Sequence, residues 1–305
     1  MHRNIIYIIN PVSGTRTKAG LQKLIEEESR KKKIPFKIFP SVASGDYTFL
    51  KPIIDEEKIT DVVIAGGDGT VSQVVGSLME EDLNFGVIPC GSGNGLAFTA
   101  GISKHSEKAL TNIFKGKAKA IDGFLVNGQF ACMLCGLGFD AKVAHDFARQ
   151  TQRGLNSYVK QVLRNILSAK PYHFDLQLKN KNFETDAFFI SIANSNQFGN
   201  NFTIAPRASL YDGLLDVVIV ASSGKIKMIL QTLQQVAGWN KLIPDTVIRE
   251  KKGVIYFQTE KLSIINHDEA PMHIDGEPSE TPKKIKIEVL KKCFRLIQPS
   301  LNPVS

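Results

Sequence analysis

The chain is poor in the residues that mark several protein classes. Four cysteines in 305 residues are too few for a disulfide scaffold of this length. Two of them, Cys132 and Cys135, form a C-x-x-C in "FACMLCGLG". A zinc site of that kind needs a second pair of ligands, and no second C-x-x-C exists. The apolar neighbours read instead as a buried strand, where cysteine behaves as a small hydrophobe. No stretch approaches the roughly 18 apolar residues of a membrane-spanning helix. The opening "MHRNIIYIINPVSG" has too short an apolar run for a signal sequence, so the expected location is cytoplasmic. The phosphate-binding pattern G-x-x-x-x-G-K-[ST] is absent, and no G-x-G-x-x-G follows the first apolar run. There is no internal repeat and no low-complexity linker.

What remains has the profile of a globular chain, 43% hydrophobic and 22% charged. Its formal charge of +8 and pI of about 9.2 suit an anionic partner such as a nucleotide, a nucleic acid or an acidic lipid surface.

The first 120 or so residues alternate strand-like and helix-like segments. "NIIYIIN" (4–10), "FKIF" (36–39), "DVVIAG" (61–66) and "FGVIP" (85–89) read as buried parallel strands, and 17–32 and 46–58 as helices. The "RKKK" late in the first helix, after "EEE" at 26–28, matches the negative end of its macrodipole, and a solvated helix end accounts for that charge run. Such β–turn–α units predict a parallel sheet with helices on its faces and ligands at the carboxyl ends of its strands. From about Asp122 the rhythm changes. "AIDGFLVNGQFACMLCGLG" has two strand-like runs split by Asn127-Gly128, a hairpin signal. A helical stretch, 154–170, follows. Then come "HFDLQLK", "DAFFISIAN", "LLDVVIV", "GVIYFQ", "KLSII" and "KIKIEVL", interrupted by one more helical stretch, 224–239. The expectation is an α/β chain: a nucleotide-binding parallel-sheet domain over 1–124, then a mainly β-sandwich domain over 125–305. The last residues are left free to return to the first domain.

Three glycine-bearing loops follow strands in the first half: "NPVSGTRTK" (10–18), "GGDGT" (66–70) and "PCGSGNG" (89–95). In a doubly wound sheet all three emerge on one edge and supply small residues and backbone donors. Ser13, Thr70 and Ser92 are candidate hydroxyl donors to phosphate, and Arg16 or Lys18 candidate counter-charges. The bland reading makes each loop a tight connection; three in register favour a site. Asp68 is the anomaly. A strand-to-helix junction favours anions, and a carboxylate there repels them.

"NPVSG", "GGDGT" before a helix and "PCGSGNGLA" together resemble the ATP-dependent lipid kinases: diacylglycerol, sphingosine and ceramide kinases and their bacterial relatives. The resemblance continues through "IDGFLVNGQFACMLCGLGFDA" (121–141), "IANSNQFGNNFTIAPRASLYDGLLDVVIV" (192–220) and "HIDGEP" (273–278), in order along nearly the whole chain. It implies a nucleotide domain, a β-sandwich lipid domain and a cleft between them. By resemblance, ATP is lined by Asn10, Pro11, Val12, Ser13, Gly14, Ser41, Gly67, Asp68, Gly69, Thr70, Val71, Ser72, Gln73 and Ser92. A magnesium site is made by the Asp212 carboxylate with backbone groups of Ser209 and Leu214, hard oxygen donors that suit Mg²⁺. Many relatives have a double Asp there, and Tyr211 replaces the first.

On this reading Asp68 meets phosphate through a cation, with Asp122 and Asp275 joining it in an acidic network. The alternative is that Asp68 caps the helix that follows it. Glu277 is the expected proton acceptor, with Asp275 as partner or substitute. Spaced two apart in extended chain, both point the same way. The expected activity is transfer of the γ-phosphoryl of ATP to a lipid hydroxyl, diacylglycerol slightly ahead of a sphingoid base, at the surface of an anionic membrane contacted peripherally. No nucleic acid is expected, and a homodimer is left open. The competing readings are an NAD kinase-like enzyme, against which Asn94-Gly95 weighs, and a non-catalytic, nucleotide-gated lipid-binding protein.

Overall fold

The computed structural model describes residues 3–13, 18–139, 141–142, 169–179, 181–199, 202–203, 205–221 and 253–300. The helices expected over 154–170 and 224–239 fall almost wholly outside these, as do Gly14 and Arg16. The chain divides into two compact units, residues 1–122 with 292–305, and residues 123–291.

In the first unit, apolar runs make strands β1 (Ile5–Ile9), β2 (Phe36–Pro40), β3 (Asp61–Gly66) and β4 (Asn84–Pro89). Every residue of β1 and β3 is buried, as a sheet covered on both faces requires. The intervening helices are α1 (Lys18–Lys31), α2 (Lys51–Glu57), α3 (Asp68–Leu78), α4 (Gly95–Thr99) and α5 (Ser106–Lys115). The segment read as one helix over 46–58 is a 3₁₀ turn, Thr48–Leu50, leading into α2. Pro52 at the start of α2 has a fixed φ that favours helix entry there.

The strands pair in parallel in the order β2-β1-β3-β4. After β2 the chain crosses to the far side of β1, so the winding direction reverses between β1 and β3. At such a switch point the loops leaving two neighbouring strands diverge and open a crevice at the carboxyl edge.

The second unit is built of antiparallel strands. Its first hairpin joins β5 (Lys117–Val126, which begins in the first unit) to β6 (Gln129–Ala131) through Asn127-Gly128, both with positive φ (48° and 88°). That is the turn the dipeptide predicts. There follow β7 (Leu134–Gly138), β8 (Tyr172–Gln177), β9 (Asn182–Ala193), β10 (Gln197–Gly199), β11 (Phe202–Thr203) and β12 (Leu215–Ala221). The chain closes with β13 (Val254–Thr259), β14 (Lys261–Asn266), β15 (Met272–Ile274), β16 (Glu277–Ser279) and β17 (Lys284–Gln298). The twelve-residue β9 is the spine: its first half pairs with β8 and its second with β7 and β12. Strands β14 and the first part of β17 alternate buried and exposed residues, the pattern of a sheet with one wet face. Their inward residues, Leu262, Ile264, Ile285 and Ile287, pack with Phe124, Phe174, Ile190 and Val217 in one core. β17 serves both units. Residues 284–288 pair with β14, and Arg295 and Leu296 pair in parallel with β4.

Tyr7 in β1 is fully buried, with its hydroxyl 3.0 Å from Ser29 Oγ. Burial pushes the phenol up from 10.0 to about 12, opposed by the Ser29 bond. The folded state therefore holds this proton more tightly than the unfolded chain. The stability it contributes is complete below pH 10 and is lost as pH rises toward about 12, roughly 2–3 kcal/mol in all. Tyr7→Phe should flatten the fall in urea-unfolding free energy over that window. An unchanged alkaline limb in the variant would contradict this assignment.

Candidate functional site

The three glycine loops and the "SGD" loop emerge on one edge of the first unit. Asn10 N–H bonds the Ala65 carbonyl (2.9 Å), Ser41 N–H that of Ile9 (3.0 Å) and Cys90 N–H that of Gly66 (2.9 Å), which carries the sheet ladder into the loops. At the switch point, Asn10 spans β1 and β3. Its Oδ1 accepts Val12 N–H (3.0 Å) and its Nδ2 donates to Thr70 Oγ1 (2.8 Å). The Val12 bond fixes which end of the amide is oxygen, and the Thr70 hydroxyl, as acceptor, keeps its own proton for another partner. Ser13 Oγ donates to the Asn10 carbonyl (3.1 Å) and is buried, whereas Val12 is 76% exposed at the loop tip. Gly45, at φ +71°, packs its Cα face on the Gln73 side chain, bringing the loop that begins at Ser41 against α3.

Small residues are obligatory here. A Cβ on Gly66 would lie 2.8 Å from Thr70 Cβ, and one on Gly91 would lie 2.6 Å from Gly67 Cα. The loops after β3 and β4 therefore touch backbone to backbone. Gly67, extended at φ −98°, precedes the first turn of α3, where Asp68, Gly69 and Thr70 present the helix N-terminus. Val71 and Ser72 are buried and Gln73 is exposed. Asn94 holds the third loop from an αL conformation (φ 58°), its side chain bonded to both Gly91 N–H (2.8 Å) and the Gly91 carbonyl (2.7 Å). Sequence reasoning weighed Asn94-Gly95 only against the NAD kinase-like alternative and gave Asn94 no part in the site; the Asn-Gly dipeptide was its signal. Ser92 is half-buried in the same loop.

Asp68 is 8% exposed, and its carboxylate accepts Gly95 N–H (2.9 Å) and Leu96 N–H (3.1 Å). The N-cap of α3 is Gly67, and the Asp68 carboxylate holds the start of α4, some 27 residues on. The negative charge is spread onto the first amides of α4, a helix start that sequence reasoning had not linked to Asp68.

In the second unit, Ile274 pairs with Glu277, and Asp275-Gly276 is the two-residue turn between β15 and β16. Both residues have positive φ (50° and 83°). The expectation that Asp275 and Glu277 point the same way in extended chain is therefore wrong: Asp-Gly is a hairpin dipeptide, and it breaks the alternation. Asp275 turns inward, 5% exposed, and accepts N–H groups of Cys132 (2.9 Å), Met133 (3.0 Å) and Leu134 (2.8 Å). Glu277 is exposed. The same grip splits the run "FACMLCGLG", read as one strand, into β6 and β7, because the amides of 132–134 bond Asp275 instead of a ladder. The carbonyls there are used as well: Asn194 Nδ2 bonds that of Cys132 (3.0 Å), and the Asn194 and Ser195 N–H groups bond that of Met133 (2.9 and 3.2 Å). Buried His273 accepts Gly276 N–H at Nδ1 (3.2 Å) and steadies the turn. Asp122, 1% exposed, accepts Lys292 N–H (2.7 Å) in the first unit.

Of the expected metal ligands, Asp212 is exposed and Ser209 and Leu214 are half-buried. Asp212 Oδ1 accepts Leu214 N–H (3.1 Å), closing a turn that brings the carboxylate beside the 209–214 backbone. Two residues beyond Leu214 lies a carboxylate that sequence reasoning missed. Asp216 is fully buried and accepts bonds from Tyr256 and from Gln258 (3.2 Å). Burial pushes its carboxyl up from the ordinary value and the Asp212 charge adds to this, against those two bonds.

Comparison with known proteins now bears on this arrangement. The diacylglycerol kinase catalytic domain family matches residues 4–126, and the YegS C-terminal NAD kinase beta sandwich-like domain matches residues 134–298. This chain belongs to the YegS-like lipid kinase family. A protein of Enterobacter sp. (strain 638) named "probable lipid kinase YegS-like" is 30% identical over 81% of this chain and 80% of its own length. One of the same name from Shewanella frigidimarina (strain NCIMB 400) is 29% identical over 81% and 79%. The crystal structure of a diacylglycerol kinase from Bacillus anthracis strain Sterne shares the fold, with TM-score 0.73 over 99% of this chain and 97% of that one at 20% identity. The kinase-family reading of the sequence, and its α/β domain followed by a β sandwich, hold.

Removing the carboxylate with Asp275→Ala should strand three buried amides and cost roughly 2–4 kcal/mol, seen as a lower urea midpoint. A loss below about 0.5 kcal/mol, the ordinary range for surface substitutions, would show that the turn is held by something else.

Proposed function

We propose that this lipid kinase family member transfers the γ-phosphoryl of ATP to the hydroxyl of a membrane lipid, diacylglycerol in preference to a sphingoid base. The observation that carries the reading is the convergence of the loops after β1, β3 and β4 at the switch point, within the region that matches a diacylglycerol kinase catalytic domain. The relatives' names support a lipid acceptor, and the catalytic-domain match supports diacylglycerol over other lipids.

The roles follow from the chemistry of each group. The first-turn amides of α3 and the Thr70 hydroxyl donate to phosphate oxygens, and the glycines at 66, 67 and 91 let the polyphosphate reach the backbone. Asn10 orients Thr70. Asp68 positions the third loop through the amides of Gly95 and Leu96, a positioning role in place of direct charge on phosphate. Asp275 positions the β15–β16 turn, its oxygens already engaged by three amides. Glu277, exposed on that turn, is left as the carboxylate able to accept the proton of the lipid hydroxyl.

The oxygen donors at Asp212, Ser209 and Leu214 fit a hard cation such as Mg²⁺, since one Asp212 oxygen is held by Leu214 N–H and the other has no hydrogen bond among the described residues. Mg²⁺ bound with ATP would neutralise the charge that develops on the transferred phosphoryl. The net charge of +8 supports docking on an anionic bilayer.

The test is incubation with γ-labelled ATP, Mg²⁺ and separate diacylglycerol, sphingosine, ceramide and NAD acceptors. Label is expected in diacylglycerol. Glu277→Gln should cut turnover by about 10²–10⁴-fold with ATP affinity unchanged. Full turnover by that variant would remove Glu277 from the mechanism, and label in NAD alone would overturn the lipid reading. In flotation, the protein should bind vesicles containing anionic lipid more tightly than neutral ones, and raised salt should abolish the difference. Equal binding to both would refute the electrostatic docking.

A further inference from the structure

Two of the chain's six histidines meet on the face of β8 opposite the core residues Phe174 and Leu176, and neither is among the residues given a role above. His173 and Asp175 alternate on β8 and so share one face. The neighbouring β14 pairs Ile265 with Asp175, and two residues further on His267 lies opposite His173, its N–H bonded to the His173 carbonyl (3.2 Å). On the other side of β8, β9 places Asp186 opposite His173. Three adjacent strands thus bring two imidazoles and two carboxylates to one spot.

We propose that His173, Asp175 and His267 form a binding site for a zinc-class transition-metal ion, with Asp186 as the residue that orients His173. One ligand atom from each of the three lies within 4.8 Å of the others. His267 Nε2 is 2.8 Å from Asp175 Oδ2, and His173 Nε2 is 3.8 Å from Asp175 Oδ1. Ligand atoms around one zinc, each about 2.0–2.2 Å from it, stand about 3.3 Å apart, so small side-chain rotations close the set.

A second observation points the same way. His173 Nδ1 sits 2.8 Å from Asp186 Oδ1. An ionised carboxylate only accepts, so Nδ1 carries a proton, and Nε2, on the Asp175 side, is the nitrogen that would bind a metal in exchange for any proton it holds. A carboxylate behind a histidine in this way is the usual support of a metal-ligating imidazole. His267 Nε2 donates to Asp175 without metal; on binding, the ring would pass to its Nδ1–H form and the metal would take the place of that proton. Two imidazoles and a carboxylate select Zn²⁺, or Cu²⁺ and Ni²⁺, over Mg²⁺ and Ca²⁺. The ligands are partly exposed, at 41%, 31% and 36%, which leaves coordination positions for water. A bound ion would tie β8 to β14 and stabilise the second unit by mass action.

The experiment is calorimetric titration of tag-free, metal-stripped full-length protein with Zn²⁺ in excess Mg²⁺, paired with the visible absorption of the Co²⁺ form. Wild type should bind one equivalent saturably, show a Co²⁺ ligand-field band and melt at a higher temperature with zinc. His267→Gln, which keeps a hydrogen bond to Asp175, should lose at least 100-fold in affinity and lose the band. Asp186→Asn should lose about 10–100-fold. His105→Ala, an exposed histidine of the first unit, should behave as wild type. Equal zinc binding by wild type and His267→Gln, or no saturable binding by wild type, would overturn the proposal. Should His173→Ala fail to fold, the His267→Gln and Asp186→Asn comparisons still decide it.

Discussion

A buried carboxylate closed onto the backbone amides of a distant segment is the interaction on which this molecule depends. Asp68 closes on Gly95 and Leu96, Asp275 on residues 132–134 and Asp122 on Lys292. Such bonds are stronger than those between neutral groups, and removing the acceptor leaves amides that water cannot reach. Each therefore ties together segments far apart in the chain: the start of α4, the break between β6 and β7, and the middle of β17. The negative charge beside a proposed phosphate site thus has a physical account: its partners are amides of the next loop, and the site stays open to anions because that charge is already engaged.

Fixing those segments matters because of where they are. The strand order β2-β1-β3-β4 reverses the winding between β1 and β3, and Asn10 and Thr70 bond across that reversal. The close approach of Gly67 to Gly91 then adds the loop after β4. An edge assembled this way offers donors from three loops without G-x-x-x-x-G-K-[ST] anywhere or G-x-G-x-x-G after the first strand. This explains how a lipid kinase family member can lack both common phosphate-binding motifs.

What could be read from the sequence was what neighbours in the chain decide. The buried runs of β1, β3 and β4 were plain because parallel strands covered on both faces need unbroken apolar residues. Asn127-Gly128 announced its hairpin through backbone chemistry confined to two residues. What could not be read was what distant segments decide. Nothing near Asp68 says that its partners lie 27 residues away. Nothing in "FACMLCGLG" says that a carboxylate from residue 275 will draw off its amides and break the strand. The Asp275-Gly276 turn was legible as an Asp-Gly hairpin signal, but family resemblance drew attention to its carboxylates instead. The pairing of "HFD" with His267 was hidden for the same reason as Asp68: register between strands is a tertiary fact.

The proposed nucleotide site is the edge formed by the loops after β1, β3 and β4. Hydrogen exchange followed by mass spectrometry, with and without ATP and Mg²⁺, reads this directly. Peptides covering residues 10–13, 66–73 and 90–96 should exchange more slowly when ATP is present, with the rest of the first unit little changed. Unaltered exchange in all three segments at saturating ATP would contradict it.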